Sequence, residues 1–393
     1  MHDIYGILYV FFISLAVASL THQPVLRFAR KRNIYDNPEA RKLQRMPVPV
    51  MGGLVVFLGV IAGSLFYWSK TDCSSIIPVQ IAMLVMLVIG GWDDMKKLSP
   101  LLRFVLEVVI VIVLVIVNGY PVNNFHGLWG IYEISPWIAW PLTIFACVGI
   151  INAINMIDGI DGLSSGICIM AFGIYGMFLF YAEDYVRAAL AIAVVGGIIP
   201  FFIMNVFGKR SKMFIGDAGT MMLGIALCDM VLTLMSSDSW YFNKVEDSGF
   251  CRIAFLFSVL AIPVVDTVRV MMGRIIRGKS PFQPDKTHLH HAFIDYGFHH
   301  LETSLMEILL NMMIVGIWWF MFRSHWSEQW QLYVSVIAAV SVCVGLYWML
   351  GRRKRLAQKV AEEYGISIED YEIMSDEERK KLKTEERINT INK

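Results

Sequence analysis

Four short stretches of this 393-residue chain gather the side chains able to do chemistry. Residues 81–90 carry no charge and are followed by Gly91-Trp92-Asp93-Asp94. A second apolar run closes in Asn152-Ala153-Ile154-Asn155-Met156-Ile157-Asp158-Gly159-Ile160-Asp161-Gly162-Leu163, and a third opens with Phe214-Ile215-Gly216-Asp217. The fourth stretch is His288-Leu289-His290-His291. Carboxylates and amides without accompanying cysteines form an oxygen-donor set, which suits magnesium or manganese over zinc. Magnesium takes one or two carboxylates plus substrate phosphates, and neighbouring histidines, lysines and arginines would hold further phosphate oxygens. Gly159, Gly162, Gly216 and Gly219 allow the backbone to come close at these turns.

Each stretch also has a plainer reading. Asp-Asp at a helix end can be a solvated boundary, and Asp217 can be an N-cap for the helix that follows. Asn152 and Asn155 can be interhelical hydrogen bonds, and three close histidines can be an exposed loop. Their convergence on one side of a membrane favours the chemical reading, because ionisable groups at membrane depth are costly and mark function.

The membrane follows from composition. The chain is 56% hydrophobic and only 17% charged, with a mean hydropathy of +0.56, too apolar for a soluble domain. The net charge of +1 gives no reason to expect a nucleic-acid partner. Runs long enough to cross a bilayer of about 30 Å lie near 4–26, 51–69, 77–92, 100–119, 136–156, 162–181, 186–206, 218–236, 251–273, 303–322 and 329–350. The expected fold is therefore all-α and polytopic, with about eleven spans. Met1-His2-Asp3 lacks the basic start of a signal peptide, so the first run reads as a retained span. Cys147, Cys168, Cys228 and Cys343 lie in apolar runs as small hydrophobes, while Cys73 and Cys251 flank outer loops and could pair.

Basic residues set the orientation. Arg27, Arg30, Lys31, Arg32, Arg41, Lys42 and Arg45 fill the first break, and alternate later breaks hold Lys96-Lys97, then Lys209, Arg210 and Lys212, then Arg274 to Lys286, and Arg352 to Arg355. The positive-inside rule makes these breaks cytoplasmic, the N-terminus external and the C-terminus internal. Residues 1–350 then form a transmembrane catalytic domain, and 351–393 a charged cytoplasmic helical tail. Asp93, Asp94, Asn155, Asp158, Asp161, Asp217 and the histidines all fall on the cytoplasmic face. A metal, a phosphate-rich ligand and a membrane surface together suggest phosphoryl transfer to or from a lipid.

These motifs, with Arg41-Lys42, Pro49-Val50-Met51-Gly52-Gly53 and Ser280 to His291, resemble the polyprenyl-phosphate N-acetylhexosamine-1-phosphate transferases, the superfamily that includes the phospho-MurNAc-pentapeptide translocases. Pro284-Asp285-Lys286-Thr287-His288-Leu289-His290-His291 resembles the UDP-GlcNAc-using branch, whereas Gln44 departs from the histidine common in relatives. The resemblance implies transfer of GlcNAc-1-phosphate from UDP-GlcNAc to undecaprenyl phosphate, with release of UMP, to start a lipid-linked surface glycan. It implies that Asp217 ligates Mg2+, with Asp94 and Asp93 nearby, and that Asp93 deprotonates or orients the lipid phosphate. Asn155 and Asp158 would shape the metal–diphosphate pocket. Asp161, Gly162, Leu163 and Phe214 would form the uridine pocket, and Lys97, His288, His290 and His291 would meet phosphate or sugar oxygens. It further implies an inner-membrane location and, by analogy, a homodimer.

Other readings remain. The donor could be another UDP-N-acetylhexosamine or UDP-MurNAc-pentapeptide. Asp158-Gly159-Ile160-Asp161 has the Asp-x-x-Asp spacing of a membrane prenyltransferase. Asp229, Asp266 and Glu107 could instead line the path of an ion-coupled transporter, or serve helix packing, with Asp266 the one most suited to reach the site.

Overall fold

The computed structural model describes residues 2–36, 46–119, 121–236, 242, 249–281 and 285–352. The expected helical tail beyond residue 352, Arg41-Lys42 and Gln44 lie outside the described residues. The chain is a multi-pass helical membrane protein. Nine of its helices are long and apolar enough to cross a bilayer, among the described residues.

The helices start and stop where local chemistry dictates. α1 (His2–Lys31) and α2 (Gly52–Trp68) flank a short antiparallel pair, β1 (Tyr35–Asp36) with β2 (Val48–Pro49), in which Tyr35 faces Pro49. α3 (Ile77–Lys96) ends at Lys97 in the left-handed conformation. α4 (Pro100–Asn118) is capped by the Ser99 hydroxyl, which accepts from the Leu102 N–H, carries proline in its first turn, and closes on Gly119 at φ 98°. Both ends follow the usual asymmetry of proline at the start and glycine past the end. α5 (Pro136–Met156) also opens on proline. α6 (Leu163–Tyr181), α7 (Tyr185–Val206) and α8 (Gly216–Ser236) follow.

Beyond them come α9 (Arg252–Val259), α10 (Ala261–Ile276), α11 (Leu289–Asp295) and α12 (His300–Arg323). The final helix, α13 (Glu328–Val340), runs on through a π turn at Ser341–Leu346. Two expected spans differ from simple crossings. α2 has only 17 residues, and the ninth run is broken into α9 and α10 with a 76° bend. The physical cause of the break is Pro263, which lacks the N–H that would bond the Val259 carbonyl one turn earlier. Asn311 of α12 repairs the gap. Its amide nitrogen donates to the carbonyls of Val259 at 2.9 Å and Ser258 at 3.3 Å, and its oxygen accepts from the Ile262 N–H at 2.9 Å.

α8 is the axis of the molecule, its apolar window 89% buried. It packs on α3 and α5, and α1, α2 and α7 form a second packed group joined to it through α2. Glycines set the closest approaches. A β-carbon on Gly90 would lie 2.5 Å from the Ala218 backbone, and one on Gly53 would lie 2.5 Å from Gly219. All six cysteines are free and buried, so Cys73 and Cys251 do not pair.

Candidate active site

The N-terminus of α8 and the last turn of α3 meet in a cavity of about 520 Å³, within the range of small-molecule sites. Neighbouring aspartates on α3 point to different partners. Asp94 accepts from the backbone N–H of Asp217 at 2.9 Å and of Ala218 at 3.2 Å. The cap of α8 is therefore Asp94, not Asp217. Gly216, at φ 75°, has no room for a β-carbon, which would sit 2.5 Å from an Asp94 carboxylate oxygen. Asp217, in the first turn of α8, instead accepts from the Asn155 amide, which also donates to Thr220 at 2.8 Å. Asp93 accepts from the Leu98 N–H at 2.7 Å and faces the Arg103 guanidinium at 3.5 Å.

The turn between α5 and α6 supplies the next wall. Asp158 accepts from the Ser164 hydroxyl at 2.5 Å, and burial pushes its carboxyl up to about 7. Asp161 pairs with Lys212 Nζ at 2.6 Å and His300 Nδ1 at 3.1 Å. Burial opposes ionisation of Asp161, but hydrogen bonds from His300 and Lys212 outweigh it and hold the carboxyl below the usual range. The two acids of the Asp-x-x-Asp spacing thus serve separate partners, unlike a shared diphosphate clamp. Lys212 also lies 5.6 Å from the centroid of the Phe214 ring. Phe214 is held beside β2 by its N–H to Pro49 O at 2.9 Å.

The histidines line the cavity beside the α5–α6 turn. His288 and His290 stack with ring centroids 5.5 Å apart, and His291 lies 4.5 Å from His290. His290 fits against Gly159, where a β-carbon would come within 2.3 Å of its Nε2. Burial and then the neighbouring His291 and His288 hold the His290 imidazole well below its ordinary value. Burial and His288 bring His291 to about 4. Their preceding loop is fastened by Arg274, which donates to Pro281 O at 2.6 Å and to Asp285 at 3.0 Å. Burial works against the Asp285 charge, but hydrogen bonds from Arg274 and Thr287 bring it to about 2.

Asp93, Asp94, Lys97, Asn155, Asp158, Asp161, Phe214, Asp217, His288, His290 and His291 all line this one cavity. Gly162 and Leu163 do not. Gly162 starts α6 at φ 83°, its N–H bound to Asn205, and Leu163 is fully buried in the core. The cavity also holds Arg103, Lys212, Arg274 and His300, which the motif reading did not assign to the site. Arg103 had a detectable signal, a charge inside an apolar run with Glu107 one turn on. His300 had none, since its partner Asp161 is far away in sequence.

The donor set fits a hard divalent cation. It offers oxygens of several carboxylates and of the amides Asn152, Asn155 and Asn205, and no three Asp, Glu, His or Cys side chains form a ready-made cage among the described residues. Magnesium suits such an incomplete set, because it keeps waters and shares its shell with phosphates. The three acids considered for ion transport do not share a path. Glu107 is bound to Asn152 and faces Arg103, Asp229 is bound to Asn118 and faces Arg187, and Asp266 is bound to Arg269 and His288. None of the three lines the cavity.

Residues 76–235 match glycosyl transferase family 4. The chain is similar to the undecaprenyl-phosphate alpha-N-acetylglucosaminyl 1-phosphate transferase of Salmonella typhi, with 27% identity over 83% of this chain and 88% of the relative. It is similar to the protein of that name from Escherichia coli (strain K12), with 27% identity over 86% and 91%. The Yersinia pestis protein of that name is 26% identical over 88% and 92%.

Proposed function

From the match of residues 76–235 to glycosyl transferase family 4, we propose that this chain transfers N-acetylglucosamine-1-phosphate from UDP-GlcNAc to undecaprenyl phosphate and releases UMP. The observation that carries the reading is the single cavity, whose acid wall and histidine wall unite motifs spread from Asp93 to His291. Relatives over most of the chain bear the name of this activity. In this reading the eleven apolar segments cross the inner membrane with the N-terminus outside, and the cavity opens to the cytoplasm.

The lipid phosphate attacks the sugar-linked phosphorus as the bond to UMP breaks. Asp93, one carboxylate oxygen held by the Leu98 N–H, orients the lipid phosphate and receives its proton. Lys97, Arg103 and the histidines hold phosphate oxygens, and Phe214 packs against the base. Asp217, with Asp94 and Asp93 beside it, would hold Mg2+, which when bound neutralises diphosphate charge. Positioning of the two phosphates does the rest. One pyrophosphate bond replaces another, so the reaction runs readily in reverse.

Purified protein given a panel of UDP-sugars should release UMP only with undecaprenyl phosphate and a divalent cation, and fastest with UDP-GlcNAc. Asp217→Asn should lower the rate by at least about 100-fold, as expected for loss of a metal-holding carboxylate. Full activity in excess chelator would sink the metal assignment, and a preferred sugar other than GlcNAc would redirect the donor.

A further inference from the structure

Asp266 lies behind the cavity, 1% exposed, and ties the histidine wall to the broken helix. Its Oδ2 meets His288 Nδ1 at 2.8 Å. Its Oδ1 accepts from Arg269 Nη2 at 2.6 Å, from Arg269 Nε at 3.2 Å and from the Leu289 N–H at 3.2 Å. Arg269 also donates to the Thr287 carbonyl at 2.5 Å and lies 4.0 Å from the Tyr347 ring centroid. The two carboxylate oxygens are thus committed to different work. One fastens the loop and the other holds the ring.

We propose that Asp266 is a positioning residue for the transfer, fixing His288 as the Nδ1–H tautomer so that Nε2 is presented to phosphate groups in the cavity. The inference rests on the transferase reading for its chemistry and on this hydrogen-bond set for its geometry. A carboxylate accepts only, so the ring nitrogen facing it must carry the proton. The ring of His288 lines the cavity, and Asp266 is the one hydrogen-bond partner of that ring among the described residues. The Nε2 lone pair is left to take a proton and return it as a charge-assisted hydrogen bond to a phosphate oxygen.

Asparagine at 266 should reverse this arrangement. Three N–H groups converge on the Oδ1 position. The amide oxygen must stay there, which turns the amide NH2 toward His288 Nδ1. That nitrogen must then accept, and the proton moves to Nε2. The same volume and fold would carry the wrong tautomer.

The test uses full-length protein in detergent at pH 8. The 15N-histidine spectrum of the wild type, less that of His288→Gln, isolates the His288 nitrogens and should show a protonated Nδ1 and an unprotonated Nε2. Asp266→Asn should exchange the two. It should also lower kcat by about 100-fold, the scale of a positioned acid–base group, while KM for the UDP-sugar moves less than about threefold. His288→Gln should lose as much, and the double variant no more than either single. A wild-type His288 protonated at Nε2 overturns the proposal, as do losses that multiply in the double variant. If Asp266→Asn does not purify, the wild-type spectrum decides. A wild type that releases no UMP sinks the transferase reading, whereas a wrong tautomer in an active enzyme sinks only the role of Asp266.

Discussion

Asp93 and Asp94 project about 100° apart on the same helical turn, so one faces Arg103 and the other the first N–H groups of α8. Their adjacency marked a site in the sequence, but their division of labour depends on α4 and α8, which no local pattern relates to α3. Asp158 carries the sharpest pH prediction. Its folded carboxyl titrates near 7 against a usual 3.8 because of burial. The folded state therefore binds this proton more tightly than the unfolded chain. The resulting stability is complete below the unfolded value and is lost as pH rises through about 7. Asp158→Asn should accordingly melt a few degrees above the wild type at pH 8, with the gap narrowing toward pH 5.5, while its transfer activity falls. Thermal unfolding in detergent at the two pH values checks this, and a variant less stable at both would show that the charge is compensated. The acids, Asn155 and the histidines were legible as chemistry because polar groups stand out in apolar runs. Lys212 was legible only as a topology marker, because its pairing with Asp161 spans 51 residues.

Helix starts were readable wherever a cap or proline announced them, as at Ser99-Pro100 and Pro136. The contact of α3 with α8 was not readable, although both helices carry its glycines. Gly90 and Gly91 make a controlled comparison. A methyl group on Gly90 would lie 2.5 Å from the backbone of Asp217 and Ala218, whereas one on Gly91 would meet only the Ala218 β-carbon at 3.9 Å. Gly90→Ala should destabilise by about 1–3 kcal/mol through overpacking and cut transfer sharply, since parting the helices pulls Asp94 from its cap. Gly91→Ala should be close to neutral in both respects. Melting temperature and UMP release on the two variants separate them, and equal effects would refute the close-packing account. The bend between α9 and α10 escaped the sequence reading for a related reason. Pro263 is tolerated in many membrane helices, and whether it bends one depends on what answers the orphaned carbonyl.

The cavity joins two groups of elements built differently. The acid wall rests on α3, α5 and α8, packed through glycines around a buried axis, whereas the histidines reach it on a loop carried by α10. The hydropathy pattern revealed the membrane and its helices, but it could not reveal this asymmetry, which arises from one broken span. Asn311 should therefore matter although it does not line the cavity. Asn311→Leu would leave the Ile262 N–H and two carbonyls unpaired in an apolar interior, at about 1–3 kcal/mol for each group. A loss of several degrees in melting temperature and about tenfold in kcat is expected, read by thermal unfolding and UMP release. Unchanged values would show that α12 does not set the bend. In mechanical terms α10 is an arm set at Leu260 and braced by α5, α12 and α13. Its 16 residues give a reach of about 24 Å, so an angular error of about 10° at that end moves the tip by about 4 Å, beyond the span of a hydrogen bond. The tolerance of the cavity is thus set at the bend, by one buried carboxamide.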